Sequence, residues 1–281
     1  MVYVPVDVES KVLKECKRRR LSPRTAKSYS FWIHRFFDFC KKDLQYISKK
    51  DVRFFLEKLS EENKSGSTMN VAHMALRFLF EIVLERRMWI DIKYSKTPKR
   101  IQRFLSQEEV KRLIDSTINF KHQLMICLVY SAGLRVGELI NLKIKDLELE
   151  RGYGYVRNGK GGKDRLIVLS NNLIPALKNL ISKECLSDDD CLFISNRGKK
   201  YSSRSIEKII KNSARKAKIK NWKEIHPHTL RHSFATHLIE KDSDVSTVQA
   251  MLGHKSPETT MIYVHSSSAN FLKTRSPLES L

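Results

Sequence analysis

The stretch 226–238, H-P-H-T-L-R-H-S-F-A-T-H-L, predicts the helix around which the second half of the chain is organised. Apolar side chains recur over 229–241 with the spacing of an amphipathic helix. A proline at position 227 suits the first turn of such a helix. The sequence therefore predicts a helix with one apolar side, made of Leu230, Phe234, Leu238 and His237.

His228 and Arg231 carry the first chemical signal of this stretch. They are three residues apart, so both project from one edge of the helix start. An imidazole beside a fixed cation at a helix N-terminus suits an anionic substrate. Zinc ligation is the alternative for His228 with His232, but Arg231 lies between them and would repel a dication. Burial in the core is the alternative interpretation for His232 and His237.

Four short motifs lie in a fixed order around this helix. They are A-G-L-R-V-G-E-L at 132–139, H-T-L-R at 228–231, L-G-H at 252–254, and Tyr263 nine positions further on. Each motif alone is weak, and a lone tyrosine is by default a core aromatic. In this order and spacing they resemble the tyrosine recombinase (phage integrase) family, and within it the compact Xer-type site-specific recombinases. The resemblance covers nearly the whole chain.

The resemblance implies a mainly α protein with a small β-hairpin or sheet. Residues 1–92 are then an all-α core-binding domain that clamps DNA, and residues 104–281 an α+β catalytic domain. The segment 93–103 is basic, contains a proline and lacks periodicity, as is typical of a linker. Residues 266–281 carry apolar side chains with little room in an exposed C-terminus. By resemblance we expect this tail to dock into a neighbouring protomer.

Local patterns over 1–92 predict four helices. The second helix is the most strongly indicated: it begins at Pro23 after the N-cap Ser22 and has an amphipathic stripe of aromatic residues. The other three are predicted at 8–20, 48–59 and 68–86.

The composition favours a polyanion as partner. The chain has 53 Lys and Arg against 31 Asp and Glu, which gives +22, and residues 1–100 and 101–281 share this excess equally. Nucleic acid is therefore the first expectation. We expect no membrane association and no signal peptide, because the apolar runs are too short. Five cysteines without a C-x-x-C pair indicate free thiols in a reducing cytoplasm, where the family role implies association with the nucleoid.

Several local patterns organise the predicted catalytic domain. Ser106 and Glu109 form a capping box, and the apolar run 124–130 indicates a buried helix. Arg135 follows that run among apolar residues, which indicates a positioned guanidinium rather than a solvated one. Glu138, three residues further on, is expected to hold that guanidinium in place.

A glycine-rich segment at 158–163 separates two alternating runs, which predicts a β-hairpin. By resemblance its catalytic lysine is Lys160, with Lys163 as the alternative, and Arg165 is expected to contact a DNA phosphate. A strand is predicted at 191–194 and a helix at 203–218. The cationic side of that helix is either solvated or a DNA contact; its candidates are Arg204, Lys208, Lys211 and Arg215.

The residues allow phosphoryl transfer without a metal or another cofactor. Arginine matches two phosphate oxygens at once, so Arg135 and Arg231 suit the non-bridging oxygens of a phosphodiester. The resemblance implies that Tyr263 attacks phosphorus and forms a 3′-phosphotyrosyl bond. His228 is the candidate base. His254 is expected to donate a hydrogen bond to the phosphate, and Lys160 is expected to protonate the departing 5′-hydroxyl.

The family implies a homotetramer on two double-stranded recombination sites. Resolution of chromosome or plasmid dimers is the predicted role, and integration of a mobile element is the alternative. A type IB topoisomerase would use the same residue types, but the compact two-domain arrangement and the apolar tail favour recombination. A catalytically silent architectural DNA-binding protein is the rival from another class. It would have no need to carry six catalytic residue types in order.

Overall fold

The computed structural model describes residues 6–86, 92–96, 103–157 and 164–253. The chain divides into two compact units, residues 1–100 and residues 101–281. Within the described residues no helix is both long and apolar enough to cross a membrane.

The first unit is all helical. Ser22, Ser48 and Ser65 each precede a helix as its N-cap residue. The helix expected at 68–86 begins earlier, at Gly66, and winds as a π-helix from Phe78. The wider winding accompanies the burial of three consecutive apolar residues, 78–80. The helices are α1 (Val6–Arg18), α2 (Pro23–Cys40), α3 (Lys49–Glu61), α4 (Gly66–Arg77) and the π-helix Phe78–Val83.

Edge-to-face aromatic packing forms the centre of this unit. The ring of Phe36 lies 5.4 Å from that of Phe55 and 5.8 Å from that of Phe80, centroid to centroid. The stripe predicted for α2 is confirmed, because its members Tyr29, Trp32, Ile33, Phe36 and Phe37 are all buried.

The start of the predicted linker packs against α4. The Asn70 side chain donates to the Ser95 carbonyl (3.0 Å) and accepts from the Ser95 amide (2.8 Å). The Tyr94 ring lies against the buried His73 ring in a tilted arrangement, with 4.7 Å between the ring centroids. Residues 92–96 are therefore held by the first unit.

The second unit combines helices with a small antiparallel sheet. Within the described residues the strand order is β1-β2-β3, and Tyr153, Gly154, Tyr155 and Val156 of β2 face Val168, Ile167, Leu166 and Arg165 of β3. This confirms both strands of the predicted hairpin, while its loop, 158–163, lies outside the described residues. The strands are β1 (Leu147–Glu148), β2 (Tyr153–Val156) and β3 (Arg165–Val168). The helices are α5 (Gln107–Asp115), α6 (Phe120–Ser131), α7 (Val136–Asn141), α8 (Ile174–Lys183), α9 (Ser203–Lys216), α10 (Pro227–Glu240) and α11 (Val245–Leu252). The predicted architecture, mainly α with a small sheet, is confirmed.

The strand predicted at 191–194 is wrong. Cys191 and Ile194 each make a single isolated bridge, to Lys143 and Lys200. Residues 191–193 are all buried, so the segment lacks the in-and-out alternation of a strand on a sheet surface.

The helix α10 is the centre of the second unit and is buried on all sides. Eleven of its fourteen residues are buried, so the prediction of one apolar side is wrong. Two of its buried polar side chains, Ser233 and His237, are accommodated by hydrogen bonds. Ser233 Oγ accepts from the Leu105 amide (2.8 Å) and donates to the Thr229 carbonyl (2.9 Å). His237 Nδ1 pairs with the Tyr130 hydroxyl at 2.8 Å, and His232 is also buried, as the structural interpretation of these two histidines predicted.

Candidate active site

Glu138 lies at the centre of a cluster of three arginines. Its carboxylate accepts hydrogen bonds from Arg135 Nη1 at 2.7 Å and from Arg165 Nη2 at 2.6 Å. Arg231 Nη1 lies 3.8 Å from the same carboxylate. The Glu138 side chain is 6% exposed, and those of Arg165 and Arg231 are 8% and 5% exposed, whereas Arg135 is 22% exposed. We call these four residues the arginine cluster; Arg135 is its most accessible cation.

The carboxylate of this cluster stays ionised at neutral pH. Burial by itself raises the pKa of Glu138, but the charge of Arg165 and the hydrogen bonds from Arg135 outweigh it and lower the pKa. One of these bonds comes from the Arg135 backbone amide (2.8 Å), which Glu138 caps at the start of α7. Glu138 therefore fixes both the backbone and the guanidinium of Arg135.

Three consecutive carbonyls at the end of α11 accept hydrogen bonds from the same arginines. Helix C-termini carry partial negative charge on such carbonyls, so a cation is favourable there. Gly253 ends the helix with φ +61°, and a Cβ at this position would lie 2.8 Å from Arg165 Cδ. The pairs are Arg165 Nη1 with Met251 (2.7 Å), Arg231 Nη2 with Leu252 (2.5 Å) and Arg135 Nη2 with Gly253 (3.3 Å). The arginine cluster thus holds the backbone that leads directly to position 254.

Gly133 shapes the corner between α6 and α7. Its φ is +57°, and an added Cβ would lie 2.6 Å from the Phe234 ring. Its carbonyl accepts from Arg231 Nη1 and, at 3.4 Å, from Arg165 Nη2. The motif A-G-L-R at 132–135 is therefore a tight turn that places Arg135 beside α10.

Two histidines mark the start of α10. His226 is its N-cap, with Nδ1 accepting from the Thr229 amide at 3.3 Å. His228 is exposed as a residue, yet neighbouring atoms partly desolvate its charged form and lower the pKa of His228, and the positive charges of His226, Arg231 and Arg135 lower it further. His228 is therefore neutral at pH 7 and can accept a proton.

The helix α9 presents the cationic side that the sequence predicted, and one acidic residue, Glu207, lies beside it. Arg204, Lys208 and Arg215 are exposed and Lys211 is half-buried; the Arg215 guanidinium lies over the Trp222 ring at 5.9 Å. Glu207 borders this side, and its negative charge partly offsets the lowering of the pKa values of His226 and His228. Sequence reasoning missed Glu207, since nothing in the sequence links α9 with the start of α10.

Arg165 is oriented inward rather than toward solvent. Its guanidinium is engaged by Glu138, Met251 and Gly133, and the predicted contact of Arg165 with a DNA phosphate stays a prediction. Its part in the arginine cluster was missed because Arg165 and Glu138 lie 27 residues apart. No signal in a single sequence pairs them.

The structure brings together Arg135, Glu138, Arg165 and Arg231. His228 lies near enough for the charges of Arg231 and Arg135 to lower its pKa. The remaining predicted residues, Lys160, its alternative Lys163, His254 and Tyr263, lie outside the described residues. Within the described ranges, no group of three or more His, Cys, Asp or Glu side chains is arranged to hold a metal ion.

Comparison with known proteins decides the family. The phage integrase family model matches residues 103–270, and the model of the phage integrase N-terminal SAM-like domain matches residues 10–90. The chain belongs to the phage integrase family. Within this family, the tyrosine recombinase XerA of Pyrococcus furiosus is 36% identical over 247 residues, covering 86% of this chain and 83% of that protein. The tyrosine recombinase XerC of Escherichia coli O157:H7 is 32% identical over 280 residues, or 94% and 93% of the two chains.

A solved relative from this phage integrase group has the same architecture. The crystal structure of the XerH site-specific recombinase bound to palindromic difH substrate, a post-cleavage complex, is 26% identical with a TM-score of 0.74. The match covers 96% of this chain and 85% of that one. The protein is therefore a tyrosine recombinase, an enzyme that acts on DNA.

Proposed function

We propose that this protein is a site-specific recombinase that cleaves and rejoins DNA through a 3′-phosphotyrosyl bond to Tyr263. The arginine cluster is the observation that carries the proposal. Three guanidiniums share the Glu138 carboxylate, an excess of two positive charges over this carboxylate at a site with little exposure. Such an excess in a largely buried site suits the negative charge that builds up on a phosphate during transfer.

Each residue has a separate task in this chemistry. Arg135, the most accessible cation, and Arg231 bind the non-bridging oxygens, and Glu138 keeps the two guanidiniums oriented. The neutral His228 accepts the phenolic proton of Tyr263 as the phenolate oxygen attacks phosphorus. His254 donates a hydrogen bond to the phosphate. The ammonium group of Lys160, or of Lys163, protonates the departing 5′-oxygen.

The phosphotyrosyl bond conserves the energy of the phosphodiester. The 5′-hydroxyl of a partner duplex therefore attacks it without ATP or a metal ion. Two strand pairs exchange in turn through a four-way junction, held by a tetramer whose 266–281 tails dock into neighbouring protomers. The similarity to XerA and XerC supports resolution of chromosome or plasmid dimers as the role, which would place the enzyme with the nucleoid in the cytoplasm.

The domain organisation of the proposal follows the family models. Residues 1–92 clamp DNA, 93–103 link the domains and 104–281 carry the chemistry; the SAM-like and integrase matches support this division. On α9 the candidate phosphate contacts are Arg204, Lys208, Lys211 and Arg215, which are exposed or half-buried.

Covalent capture tests the proposal. The protein is incubated with fragments of the source genome, and DNA that migrates with protein on a denaturing gel is sequenced. We expect one short recurrent site, an adduct with the parental protein, and none with Tyr263→Phe, although that variant still shifts the same site on a native gel. Tyr155→Phe, on the outward side of β2, is the matched control and should form the adduct. An adduct with Tyr263→Phe, or no adduct with the parental protein on any fragment, refutes the proposal.

The exchange tail is tested separately. Deleting residues 270–281 should reduce assembly on two sites and the coupling of strand exchange, measured by native gel and by junction resolution. Unchanged assembly and exchange would contradict the tail's role while leaving the cleavage chemistry intact.

A further inference from the structure

Arg165 stands at the base of the hairpin that carries the two candidate lysines. It is the first residue of β3 and pairs with Val156 of β2 across the sheet. The loop that holds Lys160 and Lys163 lies between these two strands in the sequence. Whatever fixes Arg165 therefore also fixes the point from which this loop departs.

The Arg165 side chain connects that point to two other parts of the site. It donates to Glu138 Oε2 at 2.6 Å, which links β3 to the arginine cluster. It donates to the Met251 carbonyl at 2.7 Å, which links β3 to the end of α11. Its aliphatic stem also packs against Gly253, where no larger residue fits without displacing it.

A simple counter-ion role would not require this geometry. Glu138 already pairs with Arg135 and lies near Arg231, so a third cation is not needed to neutralise one carboxylate. The Arg165 fork instead uses its separate nitrogens toward different elements, which a single ammonium group cannot do in the same way. The side chain is 8% exposed, so these contacts are shielded from competing water.

We propose that Arg165 is a positioning residue that holds the lysine hairpin in register with the arginine cluster and α11. The inference rests on the proposed function, in which a hairpin lysine protonates the leaving oxygen. Cleavage forms a bond between phosphorus and the Tyr263 oxygen and breaks the bond between phosphorus and the 5′-oxygen. The lysine ammonium gives its proton to that 5′-oxygen. Arg165 acts through the lysine and touches neither the phosphate nor the nucleophile.

A substrate with sulfur in place of the bridging 5′-oxygen isolates this step. A thiolate leaves without being protonated, because thiols ionise near neutral pH and alcohols do not. A defect in lysine placement should therefore disappear on the sulfur substrate, whereas a defect in charge stabilisation by arginine should remain. The probe is the duplex found by covalent capture, made with either bridging atom, and the readout is the single-turnover rate of adduct formation.

We expect Arg165→Lys to form the adduct at least about tenfold more slowly on the oxygen substrate and within about threefold of the parental rate on the sulfur substrate. Lys160→Ala should show the same pattern if Lys160 is the acid, and Lys163→Ala if Lys163 is. Arg135→Lys should be slow on both substrates. Arg151→Lys, the same change at an exposed position just before β2, is the matched control and should follow the parental protein.

Two results would overturn the assignment. If Arg165→Lys is equally slow on both substrates, Arg165 acts through the charge of the arginine cluster. If Arg165→Lys reacts at the parental rate on both, Arg165 contributes neither to lysine placement nor to charge stabilisation. Arg165→Gln, which keeps the aliphatic stem beside Gly253 but removes the charge and the fork, takes its place if Arg165→Lys does not fold by circular dichroism. A parental protein that forms no adduct on either substrate refutes the proposed function itself, and so is distinguishable from both results.

Discussion

Replacing Glu138 by glutamine tests the arginine cluster most directly. The substitution keeps the shape of the side chain but removes the negative charge that the three guanidiniums share. N–O distances of 2.6 Å and 2.7 Å correspond to charge centres about 4 Å apart, where the attraction is about 4 kcal/mol per pair at an effective dielectric constant of about 20. Part of this is offset by the cost of burying the carboxylate.

Breaking a buried ion pair by removing one partner costs about 3–5 kcal/mol, because the remaining charges stay buried without compensation. We expect Glu138→Gln to lower the free energy of unfolding of the second unit by this amount at pH 7. The pKa of Glu138 is lowered in the folded state, so its contribution is present above the unfolded pKa and is lost as pH falls through the folded value. The difference between variant and parent should therefore shrink below about pH 4.5.

The assay is denaturant unfolding followed by the fluorescence of Trp222, the only tryptophan in 101–281. Trp32→Phe and Trp89→Phe are introduced into parent and variant alike, so that the signal reports this unit. Glu150→Gln is the matched control. The Glu150 side chain is 85% exposed and pairs with Lys178, so its replacement should leave the transition nearly unchanged. Unfolding of Glu138→Gln at the parental denaturant concentration, with an unchanged slope, would refute the reasoning.

Three further predictions concern the turn at Gly133, the base His228 and the contact between Asn70 and Ser95. Gly133→Ala should lower the free energy of unfolding by more than about 1 kcal/mol, because φ is +57° and the new Cβ would lie 2.6 Å from the Phe234 ring. Thermal unfolding measures this change, and an unchanged midpoint would contradict the prediction. The rate of adduct formation should fall on acidification with a midpoint below pH 6.5, because the pKa of His228 is lowered and protonation removes its capacity as a base. A midpoint at or above pH 7 would count against His228 as the base. Asn70→Ala should destabilise the first unit by about 1 kcal/mol, because both hydrogen bonds to Ser95 are lost. Hydrogen exchange at the Ser95 amide should accelerate, and unchanged exchange would show that the contact is not kept in solution.

Most of the helices could be predicted because their signals are local. Ser22 caps α2, and Ser106 with Glu109 caps α5, through hydrogen bonds that span three residues. The aromatic stripe of α2 likewise follows from the 3.6-residue period alone. Motif order and spacing were also enough to indicate the family, because they need no knowledge of which residues meet in space.

Burial and partnership could not be predicted in the same way. The helix α10 has a sequence that suggests one apolar side, yet Ser233 and His237 are buried because Leu105 and Tyr130, more than a hundred positions away, supply their hydrogen bonds. Arg165 looks like a surface contact for DNA in the sequence, and it becomes internal only when Glu138 and the end of α11 converge on it.

The sequence alone therefore determined most of the helices, the hairpin strands, the basic character and the family of this protein. Only the tertiary structure decided that three arginines share one carboxylate and bind three successive carbonyls at the end of α11. The physical reason is range: capping and periodicity act over a few residues of backbone, whereas desolvation and ion pairing depend on which distant segments the packed core brings together.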